Sequence, residues 1–215
     1  MKFDLLLYAI TDRSWEGEST LEEQLTEALE AGVTLVQLRE KELEDGQFLA
    51  KAKAIKEITD RYRVPLIIND NVEVAIAYNA AGVHIGQSDS NPEEVRRRIG
   101  PDKILGVTAK TVEQAITAQR QGADYLGSGA VFGSLTKKDA RTMTMEMLQQ
   151  ITGAVSIPVV AIGGINRDNI ERLEGSGVAG AAIVSGIFGA ANIGQAVREL
   201  RQRAEMITGR MEQIK

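Results

Sequence analysis

Short apolar segments recur at regular intervals along the chain, and polar or amphipathic stretches separate them. Each segment is too short to form a buried helix, and most are bounded by glycine, proline or polar residues. Continuous apolar runs of this length are typical of parallel strands that are covered on both faces. We therefore predict eight strands, at LLLYAI (5–10), TLVQLR (34–39), PLIIN (65–69), GVHI (82–85), ILGVT (104–108), DYLGSG (124–129), VVAIGG (159–164) and GAAIVS (180–185).

Amphipathic helices are predicted between these strands from their start and stop signals. Ser19 and Glu22 have the spacing of a capping box, in which each side chain bonds to the other residue's backbone N–H, ahead of an apolar helical face. Similar start signals occur at Asn91 with Pro92, Thr111 with Gln114, and Asn192 with Gln195. Glycines just before strands predict left-handed helix ends at Gly32, Gly82, Gly122 and Gly177.

The strict alternation of strands and helices predicts the fold. Parallel strands joined by right-handed helical crossovers, repeated eight times, close into a (β/α)₈ barrel. No linker divides the chain, so we expect a single domain over residues 1–215, with residues 208–215 fraying beyond the last helix. The alternative is an open, doubly wound sheet. It requires a glycine-rich phosphate turn after the first strand, and YAITDRSWEGEST lacks one.

The charge pattern argues against nucleic-acid and membrane partners. The formal net charge is −5 and the sequence pI is about 5.1, without a long run of basic residues. The first apolar run, MKFDLLLYAI, is interrupted by Asp4 and is too short for a secretion signal or a membrane span. These features predict a cytoplasmic protein that acts on small molecules. They leave open whether it forms a homo-oligomer.

The residue inventory limits the available chemistry. The chain has no cysteine and one histidine, His84. Disulfides, thiolate nucleophiles and cysteine-ligated zinc are therefore excluded, and most histidine-based metal sites are too. His84 lies within a predicted buried strand, where a packed structural role is the usual one. Carboxylates, Lys, Arg, hydroxyls, amides and a hard cation remain.

Polar residues at the carboxyl ends of the strands are the candidate site, because active sites of (β/α)₈ barrels lie there. Gln37, Arg39 and Lys41 share one parity, while Val36 and Leu38 share the other. If Val36 and Leu38 face the helices, the polar set points toward the barrel mouth. For Lys41 alone, solvation beyond the strand is the competing interpretation.

Two aspartates follow neighbouring strands. Asp70 ends the third strand segment after Asn69, and Asp89 follows the fourth. Two carboxylates at one rim suit Mg²⁺, which binds one or two protein carboxylates and completes its shell with water and substrate phosphates. The alternative for Asp70 is a helix cap for the helix that begins near Asn71.

Glycine-bearing turns follow the last two strands. Gly163 and Gly164 end the seventh strand, and Ser185 with Gly186 ends the eighth. Barrels of this class commonly bind phosphate at these two turns. Tight turns alone also explain the glycines. We favour phosphate binding because both glycine turns follow the strands where it is expected.

Several strings in order along the chain resemble the thiamine phosphate synthase family. They are QLREK (37–41), IND (68–70), GVHIGQSD (82–89), GVTAKT (106–111), DYLGSGAVFGSLTKKDA (124–140), VVAIGGI (159–165) and AAIVSGI (181–187). The resemblance spans nearly the whole chain. It implies a Mg²⁺-dependent transferase of thiamine biosynthesis, which moves an aminomethylpyrimidinylmethyl group from its diphosphate to the nitrogen of a thiazole phosphate and releases pyrophosphate.

The resemblance also implies roles for individual residues. Carried over by motif, the pyrimidine diphosphate site comprises Gln37, Leu38, Arg39, Glu40, Lys41, Asn69, Thr108 and Lys137. Arg39, Lys41 and Lys137 are its catalytic cations, and Asp70 with Asp89 would hold Mg²⁺. The thiazole phosphate site comprises Ser134, Leu135, Thr136, Gly164, Val184 and Ser185. On this interpretation the loop VFGSLTKKDAR (131–141) covers the bound substrates and excludes water, the competing nucleophile.

Some positions depart from the family pattern. Ala130 and Gly133 stand where proline is common, Ser134 replaces a threonine, Thr108 replaces a serine, and Asn71 stands where arginine is frequent. Fewer prolines predict a more mobile loop before substrate binds. None of these departures removes a charged group from the inferred site.

Three other functions remain as alternatives. A thiazole tautomerase shares the resemblance, but it would need a histidine base near the fifth strand, where this chain has Lys110. A phosphate-binding sensor would bind ligand without turnover, and a sugar-phosphate isomerase would need a base such as Glu40. We expect the synthase, because the diphosphate set is complete.

Overall fold

A computed structural model describes residues 3–17, 19–40, 43–87, 89–133 and 142–210. Within these ranges eight strands are present: β1 (Leu7–Ile10), β2 (Leu35–Leu38), β3 (Leu66–Asn69), β4 (Gly82–Ile85), β5 (Ile104–Thr108), β6 (Tyr125–Gly129), β7 (Val159–Ile162) and β8 (Gly180–Ile183). All neighbours pair in parallel, and β8 pairs with β1 to close the barrel. The predicted (β/α)₈ barrel is confirmed.

An α-helix follows each strand except β7, which is followed by a 3₁₀ turn, and two α-helices follow β8. In the described part of the chain they are α1 (Leu21–Glu30), α2 (Asp45–Arg61), α3 (Val72–Ala77), α4 (Pro92–Ile99), α5 (Val112–Arg120), α6 (Met145–Ala154), α7 (Ser185–Phe188) and α8 (Ile193–Ile207). Short 3₁₀ turns occupy Arg13–Trp15 and Ile170–Leu173. None of the helices in these ranges is long and apolar enough to cross a membrane.

Strand parity divides the apolar residues between two layers. One cluster fills the barrel interior, and it includes Tyr8, Leu35 and Ile67. A larger cluster lies between the barrel and the helices, and it includes Val36 and Leu38. Successive strand residues face opposite sides, so the polar residues of interior parity are directed into the barrel. The predicted orientation of Gln37 and Arg39 is confirmed.

Most predicted helix starts are confirmed, and one is shifted. Side chains of Asn91, Thr111 and Asn192 accept backbone N–H bonds at the starts of α4, α5 and α8. The capping box of α1 is formed by Thr20 and Glu23, not by Ser19 and Glu22. Thr20 is the residue directly before the first helical position, Leu21, so it alone can reach the N–H of the third helical residue.

One predicted helix end is wrong. Gly32, Gly122 and Gly177 have positive φ values, as expected for helix ends. Gly82 is instead the first residue of β4. A Cβ at that position would lie 2.0 Å from the Ile104 carbonyl oxygen of β5, so glycine is required there by close strand contact.

The C-terminal tail is held further than expected. Thr208 and Gly209 donate backbone hydrogen bonds to the last turn of α8, and Arg210 pairs with Asp4 at 2.8 Å. Residues 208–210 therefore have defined contacts, and fraying of the tail stays a prediction. Residues 211–215 lie outside the described part of the chain.

Arg96 of α4 ties together the turns that lead into β5 and β6. Its guanidinium donates to the carbonyl oxygens of Gly100, Lys103 and Gly122 and to the Asp124 carboxylate. We expect Arg96→Met to lower the free energy of unfolding by about 1–3 kcal/mol, because several partly buried acceptors lose their donor. Urea unfolding measures the change. The neighbouring Arg97→Met is the control, since Arg97 is 71% exposed. Equal losses in both variants would contradict this role.

Candidate active site

A cavity of about 440 Å³ opens at the carboxyl ends of the barrel strands. Its wall combines interior strand residues with residues from the loops that follow the strands. The structure brings together there the predicted site residues Gln37, Arg39, Asn69, Asp70, Asp89, Thr108, Gly164, Val184 and Ser185. Residues that are distant in sequence therefore share one volume, large enough for small organic ligands.

The carboxylates lie on the wall that follows β3 and β4. Asp70 has φ +61°, in the left-handed region that is unusual for a residue other than glycine. Its backbone N–H donates to the His84 carbonyl oxygen at 2.8 Å, and its carboxylate accepts from the Asn69 side-chain amide. Asp89 accepts from the Gly86 backbone N–H at 2.7 Å. Both carboxylates line the cavity.

The helix-cap alternative for Asp70 is wrong. Asn71 caps α3, and its side chain accepts from the Val74 backbone N–H at 2.9 Å. Asp70 lies before the cap, with a backbone conformation that costs free energy. Such outliers concentrate at functional sites, where the surrounding structure holds them in place.

Arg39 forms the cationic wall after β2. Its backbone N–H donates to Thr11 Oγ1 at 3.0 Å, and its Nη1 lies 3.8 Å from Asp12 Oδ2. The Arg39 side chain is 15% exposed, so its charge is largely removed from bulk solvent. A guanidinium in such a place interacts with anions more strongly than one on the surface.

Two residues of the QLREK run have side chains that face elsewhere. Leu38 is fully buried in the layer between barrel and helices. Glu40 pairs with Arg13, with 2.8 Å between Glu40 Oε2 and Arg13 Nε. Burial raises the pKa of Glu40 above its usual value, and the attraction to Arg13 opposes that rise. The side chains of Leu38 and Glu40 are not among those that line the cavity.

The opposite wall consists of the turn after β7 and the residues after β8. Gly163 and Gly164 both have positive φ, at +101° and +66°. A Cβ on Gly164 would lie 2.6 Å from the Phe132 carbonyl oxygen, so the turn packs directly against the chain after β6. Val184 and Ser185 complete this wall. The backbone of this turn and the Ser185 hydroxyl are the groups from which the sequence predicts a phosphate site, and that role stays a prediction.

Cavity residues that sequence reasoning did not assign include Tyr8, His84, Gln87, Lys110 and Gln114. Tyr8 could have been found from its parity with Ile10, which also lines the cavity. His84 was expected to be packed, and both of its ring nitrogens are within 3.0 Å of hydroxyl groups, on Tyr125 and Thr108. It is nevertheless only half-buried, and it lines the cavity.

Part of the predicted site lies outside the described residues. This applies to Lys41 and to the loop residues Ser134, Leu135, Thr136 and Lys137. Their roles stay predictions. Gly133, the last described residue before this segment, lies beside the Gly163–Gly164 turn.

Comparison with known proteins shows sequence and structural similarity to one enzyme family. A model described as thiamine monophosphate synthase matches residues 7–187. A thiamine-phosphate synthase of Clostridium tetani is 50% identical over 197 residues, covering 92% of this chain and 94% of that protein. One from Clostridium botulinum is 47% identical, with coverage of 96% and 97%. A solved thiamine phosphate pyrophosphorylase from Pyrococcus furiosus superposes with a TM-score of 0.86 at 39% identity, covering 94% of this chain and 96% of that one.

Proposed function

This chain belongs to the thiamine monophosphate synthase family, and we propose that the cavity at its barrel mouth binds both substrates of that reaction. The protein is a transferase. It moves the aminomethylpyrimidinylmethyl group from its diphosphate to the thiazole phosphate nitrogen, which forms thiamine phosphate and pyrophosphate. The single observation that supports the siting is one cavity that is lined by Arg39, by two carboxylates and by the glycine turn after β7.

Asp70 and Asp89 fit a magnesium ion, and we assign them to it. Both line the cavity, and their hydrogen bonds include those from the Asn69 amide and the Gly86 N–H, two uncharged donors. No cluster of three or more metal-ligating His, Asp or Glu residues occurs in the described ranges, and a two-carboxylate site is the kind that Mg²⁺ uses with phosphate ligands. A bound Mg²⁺ would offset the negative charge that develops on the departing diphosphate.

The chain's own groups orient the two substrates. The Arg39 guanidinium binds the diphosphate and stabilises it as it leaves, and the Gln37 amide on β2 and the Thr108 hydroxyl on β5 also line the cavity. The turn at Gly163–Gly164 and Ser185 hold the acceptor phosphate on the opposite wall. Opposed anion sites place the acceptor nitrogen on the far side of the carbon from the leaving group.

The bidentate geometry of Arg39 is expected to matter beyond its charge. Arg39→Lys keeps the charge but loses the planar fork, so we expect kcat/KM for the pyrimidine diphosphate to fall about tenfold. Steady-state kinetics with the acceptor at saturation measures this. Arg61→Lys is the control, because Arg61 is exposed at the C-terminal end of α2, away from the barrel mouth. An unchanged Arg39→Lys enzyme would show that the fork does not bind the diphosphate.

The reaction itself is tested with purified protein, both substrates and Mg²⁺. We expect release of pyrophosphate in equal amount to thiamine phosphate, complete loss of turnover with a chelator, and recovery when Mg²⁺ is added in excess. Isomerisation of a thiazole phosphate in the absence of pyrimidine diphosphate would support the tautomerase alternative instead. Turnover that a chelator leaves intact would contradict the assignment of Asp70 and Asp89.

A further inference from the structure

A line of hydrogen bonds crosses the barrel interior and connects two walls of the cavity. The Gln37 side-chain nitrogen lies 2.6 Å from Tyr8 Oη, and Tyr8 Oη lies 2.8 Å from Tyr125 Oη. Tyr125 Oη lies 3.0 Å from His84 Nδ1, and His84 Nε2 lies 3.0 Å from Thr108 Oγ1. Gln37, Tyr8, Tyr125, His84 and Thr108, from β2, β1, β6, β4 and β5, therefore form one continuous line of hydrogen bonds, the interior chain.

Burial keeps both tyrosines of the interior chain protonated. Tyr8 is 1% exposed and Tyr125 is fully buried. Burial raises the pKa of each hydroxyl well above its usual value, so each carries one hydrogen at any ordinary pH. A phenolic oxygen then has one hydrogen to donate and can accept one from a neighbour. Once the donor of the first hydrogen bond is known, the donor of every later bond in the interior chain follows.

The Gln37 amide sets the direction at that end. Its Nε2 carries only donors, so Tyr8 Oη must accept, and the Tyr8 hydrogen goes to Tyr125. The Tyr125 hydrogen then goes to His84 Nδ1. With Nδ1 as an acceptor, the neutral imidazole carries its proton on Nε2 and donates it to Thr108 Oγ1. Thr108 accepts there, and its own hydrogen is directed elsewhere.

We propose that this interior chain fixes the His84 tautomer with its proton on Nε2 and makes the Thr108 hydroxyl a hydrogen-bond donor into the cavity. Tyr8, Tyr125 and His84 are thus positioning residues, which act through Thr108 and Gln37 at the two ends. A donor is what an anionic oxygen requires, and Thr108 lines the cavity. That this oxygen belongs to the diphosphate rests on the proposed function. The tautomer does not.

The opposite direction is a defined alternative. If Gln37 presented its oxygen to Tyr8, every bond would reverse, and His84 would carry its proton on Nδ1. The Thr108 hydroxyl would then donate its hydrogen bond to His84 Nε2, and toward a ligand it could only accept a hydrogen bond. The two directions differ in one observable, which is the protonated nitrogen of the histidine.

The tautomer can be read directly, because the chain has a single histidine. We would label untagged protein with ¹⁵N-histidine and record long-range correlations between ring nitrogens and carbon-bound ring protons, at a mildly alkaline pH. The expected result is a protonated Nε2 and an unprotonated Nδ1. Protonation at Nδ1 in the wild-type protein would overturn the proposal.

Reversal at one end gives the sharper test. Gln37→Glu replaces the donating amide with an accepting carboxylate, so Tyr8 must donate to it and the direction reverses. We expect the histidine proton to move to Nδ1. Gln114→Glu is the matched control: it adds the same charge to the cavity wall and keeps the acceptor bond to the Lys110 N–H, outside the interior chain. We expect its histidine to stay protonated on Nε2. If the protonated nitrogen of His84 is unchanged in Gln37→Glu, or changes equally in both variants, the interior chain does not connect His84 to Gln37.

Kinetics test the consequence for Thr108. Thr108→Val removes the donor, and we expect KM for the pyrimidine diphosphate to rise about tenfold or more, while Thr108→Ser stays near wild type. Tyr125→Phe should raise the same KM by a few-fold alone and by nothing further in the Thr108→Val background. Tyr62→Phe loses only an exposed hydrogen bond to Glu30, so it should leave KM unchanged in both the wild-type and the Thr108→Val background. Additive effects of Tyr125→Phe and Thr108→Val would contradict a shared action.

The NMR test of the His84 tautomer and the turnover assay can fail independently, so they distinguish the interior chain from the proposed function. A wild-type protein without synthase turnover but with the expected tautomer and its reversal would refute the proposed function and keep the interior chain. Normal turnover with the His84 proton on Nδ1 would support the proposed function and refute the proposal about the interior chain. If Tyr125→Phe does not fold, the Gln37→Glu and Gln114→Glu pair still decides.

Discussion

Asp70→Asn is expected to lower kcat/KM by about a hundredfold to a thousandfold and to raise the Mg²⁺ concentration that gives half-maximal activity. The change removes one negative charge and little else. Asparagine tolerates the left-handed backbone conformation that Asp70 adopts at φ +61°, so the turn after β3 should be kept. Pyrophosphate release measured over a range of Mg²⁺ concentrations gives both quantities.

Asp60→Asn is the matched control for this change. Asp60 lies near the end of α2, its side chain is 60% exposed, and its partner is Lys56 on the same helix. Surface pairs of this kind contribute little to stability, so we expect kinetics near wild type. If Asp70→Asn retained wild-type activity and Mg²⁺ dependence, the carboxylate would not belong to the metal site.

Gly164→Ala is expected to lower kcat/KM for the thiazole phosphate by about a hundredfold. A methyl group at this position would lie 2.6 Å from the Phe132 carbonyl oxygen and 2.9 Å from that of Gly133, and the backbone has φ +66°. The turn would have to move, and the wall that we assign to the acceptor phosphate would move with it. Initial rates at varied acceptor concentration measure the effect.

Gly153→Ala is the control for the same chemical change. Gly153 lies in α6 with nothing within 4 Å of its added methyl group. Alanine should raise the free energy of unfolding by about 0.5–1 kcal/mol there, since helical glycine loses more backbone entropy on folding. Activity should be unchanged. An equal loss of activity at both positions would mean that the turn after β7 has no special role.

The strand pattern predicted most of the fold because it reports burial on both faces. Parallel strands of a barrel are covered inside and outside, so their apolar runs are visible without any knowledge of partners. Helix starts were predicted where a polar residue bonds to the N–H two or three residues ahead, as at Asn91. Errors arose where the reason is not local: Gly82 is required by its neighbour Ile104 on the next strand.

The candidate site was predicted where parity or strand position decides the side-chain direction. Gln37, Arg39 and Asp89 line the cavity for that reason. Leu38 and Glu40 were assigned from the resemblance, and both have the opposite parity; Glu40 pairs with Arg13, which follows a different strand. The histidine is the clearest case: its place in a buried strand predicted packing, and only the convergence of β4, β5 and β6 shows its bonds to Tyr125 and Thr108.

By itself the sequence determined the number and order of the strands, the end of the barrel at which the cavity opens, and the family to which the chain belongs. Those properties are set by local hydrophobic period and by residues that are neighbours along the chain. Only the tertiary structure decided the left-handed backbone of Asp70, the separation of the Leu38 and Glu40 side chains from the cavity, and the hydrogen-bond chain through its interior. The physical reason is that such contacts join residues from different strands, and strand closure determines their distances.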